Sequence, residues 1–340
     1  MKRLAAPLVL LVLASCGGQG GLRLEGDRAR QVVVGGATLR VAIQPDERRR
    51  VSEGALVSWV ERSATMVSGI CGRFPVPDLE VTVGAGGRLG WGQHRRGREV
   101  YAVAGAGVDA RDLERDWVLV HEMLHTAFPD LDRRHLWMRE GLSTYLQTMV
   151  RARAGVFAPE EMWSRYADRM PLGRPRARDR GLDRTRSWGS TYWGGALFWM
   201  AVDVELRRQT NGARSIDDIM CAMMAEGGNA RSRWPMARVL RVADEATGTS
   251  VMSDTYRDMA LERGDVDLEV LFARLGVESR RGAIVLHDDA VWSGIRRQME
   301  SRDDRTAAAM PVVPRTHAFA RRVPRVSPAE RRRFRRARHR

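Results

Sequence analysis

The sequence predicts an α+β fold in which a small mixed β-sheet subdomain, residues 30–110, leads into a mainly helical subdomain, residues 111–300. Three observations point there. Upstream of Asp112 the apolar residues sit in short β-branched runs; downstream they recur three and four apart; and 44% apolar composition over 340 residues provides for a sizeable core. Strands are expected at Gln31–Val34, Leu39–Ile43, Leu79–Val83 and Glu99–Val103, where Val and other strand formers crowd between turn residues, with a helix near Val51–Ile70. Helical spacing then covers about 113–127, 138–152, 190–209, 215–226, 254–263, 267–275 and 288–299, with Ser215 and Asp218 forming a capping box and Gly282–Leu286 a short strand. Arg174–Arg186, charged and broken by Pro and Gly, is expected as a loop flanking a cleft. Most tryptophans are expected in the core.

The chain opens with Met1-Lys2-Arg3, an apolar stretch Leu4–Leu13 too short to span a bilayer permanently, and Leu13-Ala14-Ser15-Cys16. This resembles a bacterial lipoprotein signal over residues 1–16, an ordinary cleaved signal or an uncleaved helix being the alternatives. The resemblance implies a diacylated Cys16 anchored in a lipid bilayer, a flexible tether over 17–29, and export to the cell envelope. The formal charge of +15 is mostly a tail: residues 321–340 hold ten Arg and one Glu, and 301–340 is expected to be disordered. Such a run suits anionic lipid or cell-wall polymers, and nucleic acid is a poor partner for an exported chain. Apart from Cys16, only Cys71 and Cys221 remain, without zinc-like spacing; they are either a disulfide or two buried thiols.

His121-Glu122-Met123-Leu124-His125 lies in an apolar run from Trp117. Positions i and i+4 share a helix face, so the two imidazoles can grip one cation while Glu122 points at a water beside it. A hydrolytic zinc site keeps three protein ligands and an open place, so a third ligand is needed. Position 131 is Leu, which excludes a histidine six residues after His125. Glu140 is the candidate: it opens a second helical stripe through Leu142, Tyr145, Leu146 and Met149, and the Phe128-Pro129-Asp130 turn can fold that helix back. Thr144 or Asp116 could orient the imidazoles from behind. His135 is expected as a helix-cap or surface residue, and His94, among Gly and Arg, as a possible lining of the cleft.

His-Glu-x-x-His followed by Trp137-x-x-Glu140-Gly141-x-x-x-Tyr145 resembles the gluzincin zinc metallopeptidases, which include thermolysin, the alanyl and leukotriene-hydrolase type aminopeptidases and the glycyl aminopeptidases. Tyr192-Trp193-Gly194-Gly195-Ala196-Leu197 is similar to the helix whose tyrosine hydrogen-bonds the tetrahedral intermediate, and the run from Ala201 to Met220 resembles the glycyl aminopeptidases in particular. The likeness covers about 110–225 well and Leu271–Met299 loosely. It implies a thermolysin-like helical subdomain and zinc on His121, His125 and Glu140. It also implies Glu122 and Tyr192 as catalytic residues and a peptide or protein substrate.

Zinc so held would lower the pKa of a water and polarise a carbonyl, with Glu122 taking the proton and returning it to the leaving amine. Tyr192, if not simply a core tyrosine, would donate to the oxyanion. Departures limit the carry-over. Only fourteen residues lie between His125 and Glu140, fewer than in the alanyl and leukotriene-hydrolase branches, and Gly87–His94 has no acid where those branches capture a free amine. Exopeptidase action is therefore unsupported, and a catalytically silent binding lipoprotein on the same scaffold is the alternative function.

Overall fold

The computed structural model describes residues 29–301 except position 88. The leader with Cys16, the tether up to position 28 and the tail from 302 onward lie outside the described residues. The chain opens with β1 (Arg30–Val34) and β2 (Ala37–Ile43), then α1 (Glu53–Ser68), β3 (Asp78–Gly84), β4 (Gly92–Arg95) and β5 (Glu99–Val103). One five-stranded sheet runs β1-β2-β3-β5-β4; β2, β3 and β5 are mutually parallel, while β1 and β4 pair antiparallel at the two edges. The β1–β2 turn is closed by Gly35 and Gly36 with φ of 57° and 77°, a region that L side chains avoid. Val32, Val34, Leu39, Val41, Leu79, Val81, Val83, Val100 and Ala102 are the buried residues of the alternation. Ser52 caps α1, its Oγ accepting from Ala55 N at 3.2 Å.

The helical part comprises α2 (Ala110–Glu114), α3 (Val118–Leu124), α4 (Leu136–Arg153), α5 (Pro159–Arg169), α6 (Gly195–Gln209), α7 (Ile216–Ala225), α8 (Met236–Thr247), α9 (Val251–Tyr256) and α10 (Leu268–Leu275). The hairpin of β6 (Val277–Arg280) with β7 (Ala283–Leu286) and then α11 (Ser293–Glu300) complete it. A single apolar cluster runs from Val32 through Leu119, Met138, Leu197 and Met220 to Met299, so sheet and helices share one core. Among the described residues no helix is long and apolar enough to cross a membrane.

Several expectations are corrected. The helix expected over 113–127 is broken at Arg115–Trp117, because the Asp116 carboxylate accepts from Leu119 N at 3.0 Å and restarts the chain as α3. β4 carries almost no apolar residues, and exists through its ladder with β5. α5 and α8 were not anticipated; α8 buries Val239, Val242 and Ala243 and stops at Gly248, φ 66°. Trp59, Trp137, Trp163, Trp199 and Trp234 are core, whereas Trp91, Trp117 and Trp188 are exposed. His135 does stand at the N-cap position of α4, though its side chain makes no capping hydrogen bond, and it is not on the surface: it is buried, with Nδ1 2.8 Å from Asp183 Oδ1. Asp183 also accepts from Trp137 Nε1 at 2.9 Å and the Tyr256 hydroxyl at 2.6 Å, pinning the Arg174–Arg186 loop to the start of α4. Cys71 and Cys221 form a disulfide, Cα–Cα 5.4 Å, tying the segment after α1 to α7.

Candidate metal centre

The centre is built where α3, α4 and the approach to α6 meet. α3 carries His121 and Glu122 and passes into a 3₁₀ turn at His125–Ala127, while α4 returns with Glu140 in its second turn. The helix crossing that allows this is backbone on backbone. A Cβ at Gly141 would meet Gly195 and lie 2.7 Å from Ala196 N; one at Gly195 would lie 2.8 Å from Gly141 Cα. The Glu-Gly pair of the motif thus has a packing reason: glycine after Glu140 lets α6 approach, bringing Tyr192 with it. Tyr192 itself lies on a π-turn, Gly189–Gly194, a local widening that re-aims side chains and recurs at functional sites.

Glu140 Oε2 lies 3.4 Å from His121 Nε2 and 3.3 Å from His125 Nε2. Among the described residues, these three side chains offer ligand atoms all within 4.8 Å of one another. Two imidazole nitrogens and one carboxylate oxygen form the donor set of a hydrolytic zinc site, with a place left open. Burial opposes ionisation of Glu140, yet the His125 charge and hydrogen bonds from both imidazoles hold its carboxyl far below the ordinary glutamate value. Behind His125, Ser143 Oγ lies 3.1 Å from Nδ1; with a cation on Nε2 the ring hydrogen would be on Nδ1 and donate to that hydroxyl. Ser143, one turn past Glu140, was missed in the sequence, where Thr144 and Asp116 were preferred. Asp116 is spent on the start of α3, and His121 Nδ1 is buried with no hydrogen-bond partner among the described residues.

Glu122 is the second polar group of α3, its Oε2 4.0 Å from His125 Nε2. Burial raises its pKa; the two histidines and the His94 backbone N–H oppose that, while Glu140 adds to it. Over this carboxylate passes β4. Gly92 is obligatory there, since a Cβ would sit 2.7 Å from both Glu122 Cγ and Val118 Cγ1. His94 follows on the same face, its ring 5.3 Å from that of His125, and burial followed by the His125 charge lowers its pKa to about 3. The imidazole is therefore neutral. The Tyr192 ring stacks 6.3 Å from His121, and burial with the Glu140 and Glu122 charges raises its pKa to about 12, so the hydroxyl remains a donor. Exposed Trp117 and Trp188 border the centre, at 5.7 Å from His121 and 5.9 Å from Tyr192. None of the three ligand candidates lines the cavity of about 300 Å³ between Asp130, Leu136, Arg139 and Arg233, although Arg139 precedes Glu140.

No family model matches the sequence, and no curated protein does. The fold does have solved counterparts. An aminopeptidase N family protein from Idiomarina loihiensis superposes with TM-score 0.57 at 14% identity, covering 73% of this chain and 49% of that one. The M1 zinc metallopeptidase of Deinococcus radiodurans gives 0.48 at 18% identity (69% and 51% covered), and native yeast LTA4 hydrolase 0.48 at 14% (70% and 40%). The chain spans about half the length of the first structures it matches. Its α+β fold is thus shared with the first of these, an aminopeptidase N family protein.

Proposed function

We propose that this protein is a zinc-dependent metallopeptidase whose helical part is a thermolysin-like catalytic subdomain, working on peptides or proteins at the cell envelope. The observation that carries this is the convergence of His121 Nε2, His125 Nε2 and Glu140 Oε2 beside a second, uncommitted carboxylate, Glu122. A metal held only for structure has no use for that carboxylate, whereas hydrolysis does. The zinc ion, when bound to His121, His125 and Glu140, supplies a Lewis acid that polarises a carbonyl and makes a neighbouring water easier to deprotonate.

The chain's own residues do the rest. Glu122, in its buried setting, accepts a proton from the attacking water and delivers it to the departing amine, a transfer favoured by its raised pKa because a stronger base nearer neutrality is better matched to the task. Tyr192, protonated throughout the physiological range, donates its hydroxyl hydrogen to the carbonyl oxygen as charge gathers there. Gly92 lets β4 lie directly on Glu122 and so excludes water from one side of it.

Location belongs to the same proposal: acylated Cys16 in a lipid bilayer and the arginine tail on anionic lipid or wall polymer. The Leu13-Ala14-Ser15-Cys16 pattern supports it, as does the Cys71–Cys221 disulfide, a bond that persists in oxidising compartments. The test is zinc content and cleavage of a broad fluorogenic peptide library by the protein lacking residues 1–16, beside Glu122→Gln. One zinc in each, with cleavage by the parent alone, is expected; equal behaviour of the two proteins refutes the proposal.

A further inference from the structure

We propose that His94 is a second hydrogen-bond donor of the reacting site, its Nδ1–H reaching the oxygen of the scissile carbonyl from the His125 side while Tyr192 serves from the His121 side. This rests on the peptidase function proposed above. Strand side chains alternate, and in β4 Gln93 and Arg95 take the exposed face while Gly92 and His94 take the one laid on α3. Because Gly92 leaves no space above Glu122, the strand runs close enough for the next inward residue to set its ring against His125, centroids 5.3 Å apart.

The ring is oriented at its far edge. Gly97 N–H donates to His94 Nε2 at 2.8 Å, and a nitrogen that accepts carries no hydrogen, so the hydrogen of the neutral ring is on Nδ1. Nδ1 has no protein partner among the described residues. The ring bearing it lies beside that of His125, centroids 5.3 Å apart. The turn behind it is clamped: Gly97 has φ 64°, its carbonyl accepts from Arg231 Nε at 3.0 Å, and Arg231 Nη1 is 3.0 Å from Asp78 Oδ2. An N–H fixed in direction, neutral, and unpaired until charge develops nearby is what a forming oxyanion requires.

Two experiments test this. The ¹⁵N shifts of the His94 ring in the metal-free protein read the tautomer; hydrogen on Nδ1 is expected, and hydrogen on Nε2 overturns the proposal whatever the enzyme does. Two substitutions then separate donor from anchor. His94→Gln keeps an oxygen near the Nε2 position for Gly97 but has nothing at Nδ1, whereas His94→Asn keeps an N–H near Nδ1 and gives up Gly97. With zinc-loaded protein and a fluorogenic peptide that the parent cleaves, His94→Gln should lose kcat about 100- to 1,000-fold with KM within about two-fold and zinc content intact. His94→Asn should stay at least about ten-fold more active than His94→Gln. The reverse order, Gln active and Asn inactive, makes His94 a turn anchor only and overturns the proposal. A parent that cleaves no peptide sinks the peptidase function and this inference together, whereas an Nε2 hydrogen in an active peptidase sinks this inference alone.

Discussion

Replacing Gly141 with alanine tests the helix crossing on which the candidate site depends. On an isolated helix the change would stabilise, by about 1 kcal/mol of helix propensity. Here the new methyl would lie 2.7 Å from Ala196 N and closer still to the Gly195 backbone, where carbon contacts want about 3.5–4.0 Å. The obstructing atoms are main chain of α6, not the end of a flexible side chain, so α4 and α6 must part by about 1 Å. Overpacking of this kind costs about 1–3 kcal/mol, and with main-chain atoms in the way the upper part of that range applies, for a net loss of up to about 2 kcal/mol after the propensity gain. At about 2–4 °C per kcal/mol in a domain of this size, calorimetry should show Tm lower by several degrees. Because Glu140 precedes Gly141 and Tyr192 precedes Gly195, the same displacement separates the two sides of the site, and a misplacement of about 1 Å can cost about 100-fold in kcat. A Gly141→Ala protein with equal or higher Tm and undiminished peptide cleavage would show that backbone contact at this crossing does not hold the site together.

Three further outcomes follow from the site and its frame. As the proposed base Glu122 would work deprotonated, and burial raises its pKa, so kcat/KM should fall as pH drops through a value above the ordinary glutamate 4.5, with no loss from this group at higher pH; an acid limb at or below 4.5 contradicts the desolvated setting. Ser143→Ala removes the partner of His125 Nδ1 and should weaken zinc about 10- to 100-fold in a chelator competition at near-constant Tm, while an unchanged affinity would make the 3.1 Å contact incidental. Cys71→Ser with Cys221→Ser opens a covalent loop spanning 150 residues and should lower denaturant stability by up to about 5 kcal/mol on the chain-entropy argument; an unchanged midpoint would refute a constraining role for the bond.

Much of the architecture was legible because it is local. Alternation in Val81 and Val83 or in Val100 and Ala102 needs no partner to be recognised, and the stripe of α4 is a property of its own residues. What escaped lacks such a pattern. β4, with one residue in four apolar or glycine, is a strand only because β5 supplies the ladder; the break before α3 arises from one carboxylate choosing the Leu119 N–H over solvent. His135, expected as a helix-cap or surface histidine, stands at the N-cap of α4, but its burial was not legible, since the residue that satisfies it, Asp183, is 48 positions away.

By itself, the sequence placed the candidate site residues: His121, Glu122 and His125 in one helix-spaced pentad, Glu140 on the next helix, and a tyrosine at 192 before a glycine pair. These depend on spacing within helices, which the backbone period dictates. Only the tertiary structure decided that Glu140 turns to both imidazoles, that Ser143 rather than Thr144 backs His125, that Cys71 meets Cys221, and that an edge strand carries His94 over the centre. Each of these joins segments far apart in the chain, and such meetings are set by how whole elements pack, here by two glycines allowing two helices to touch, which no local pattern encodes.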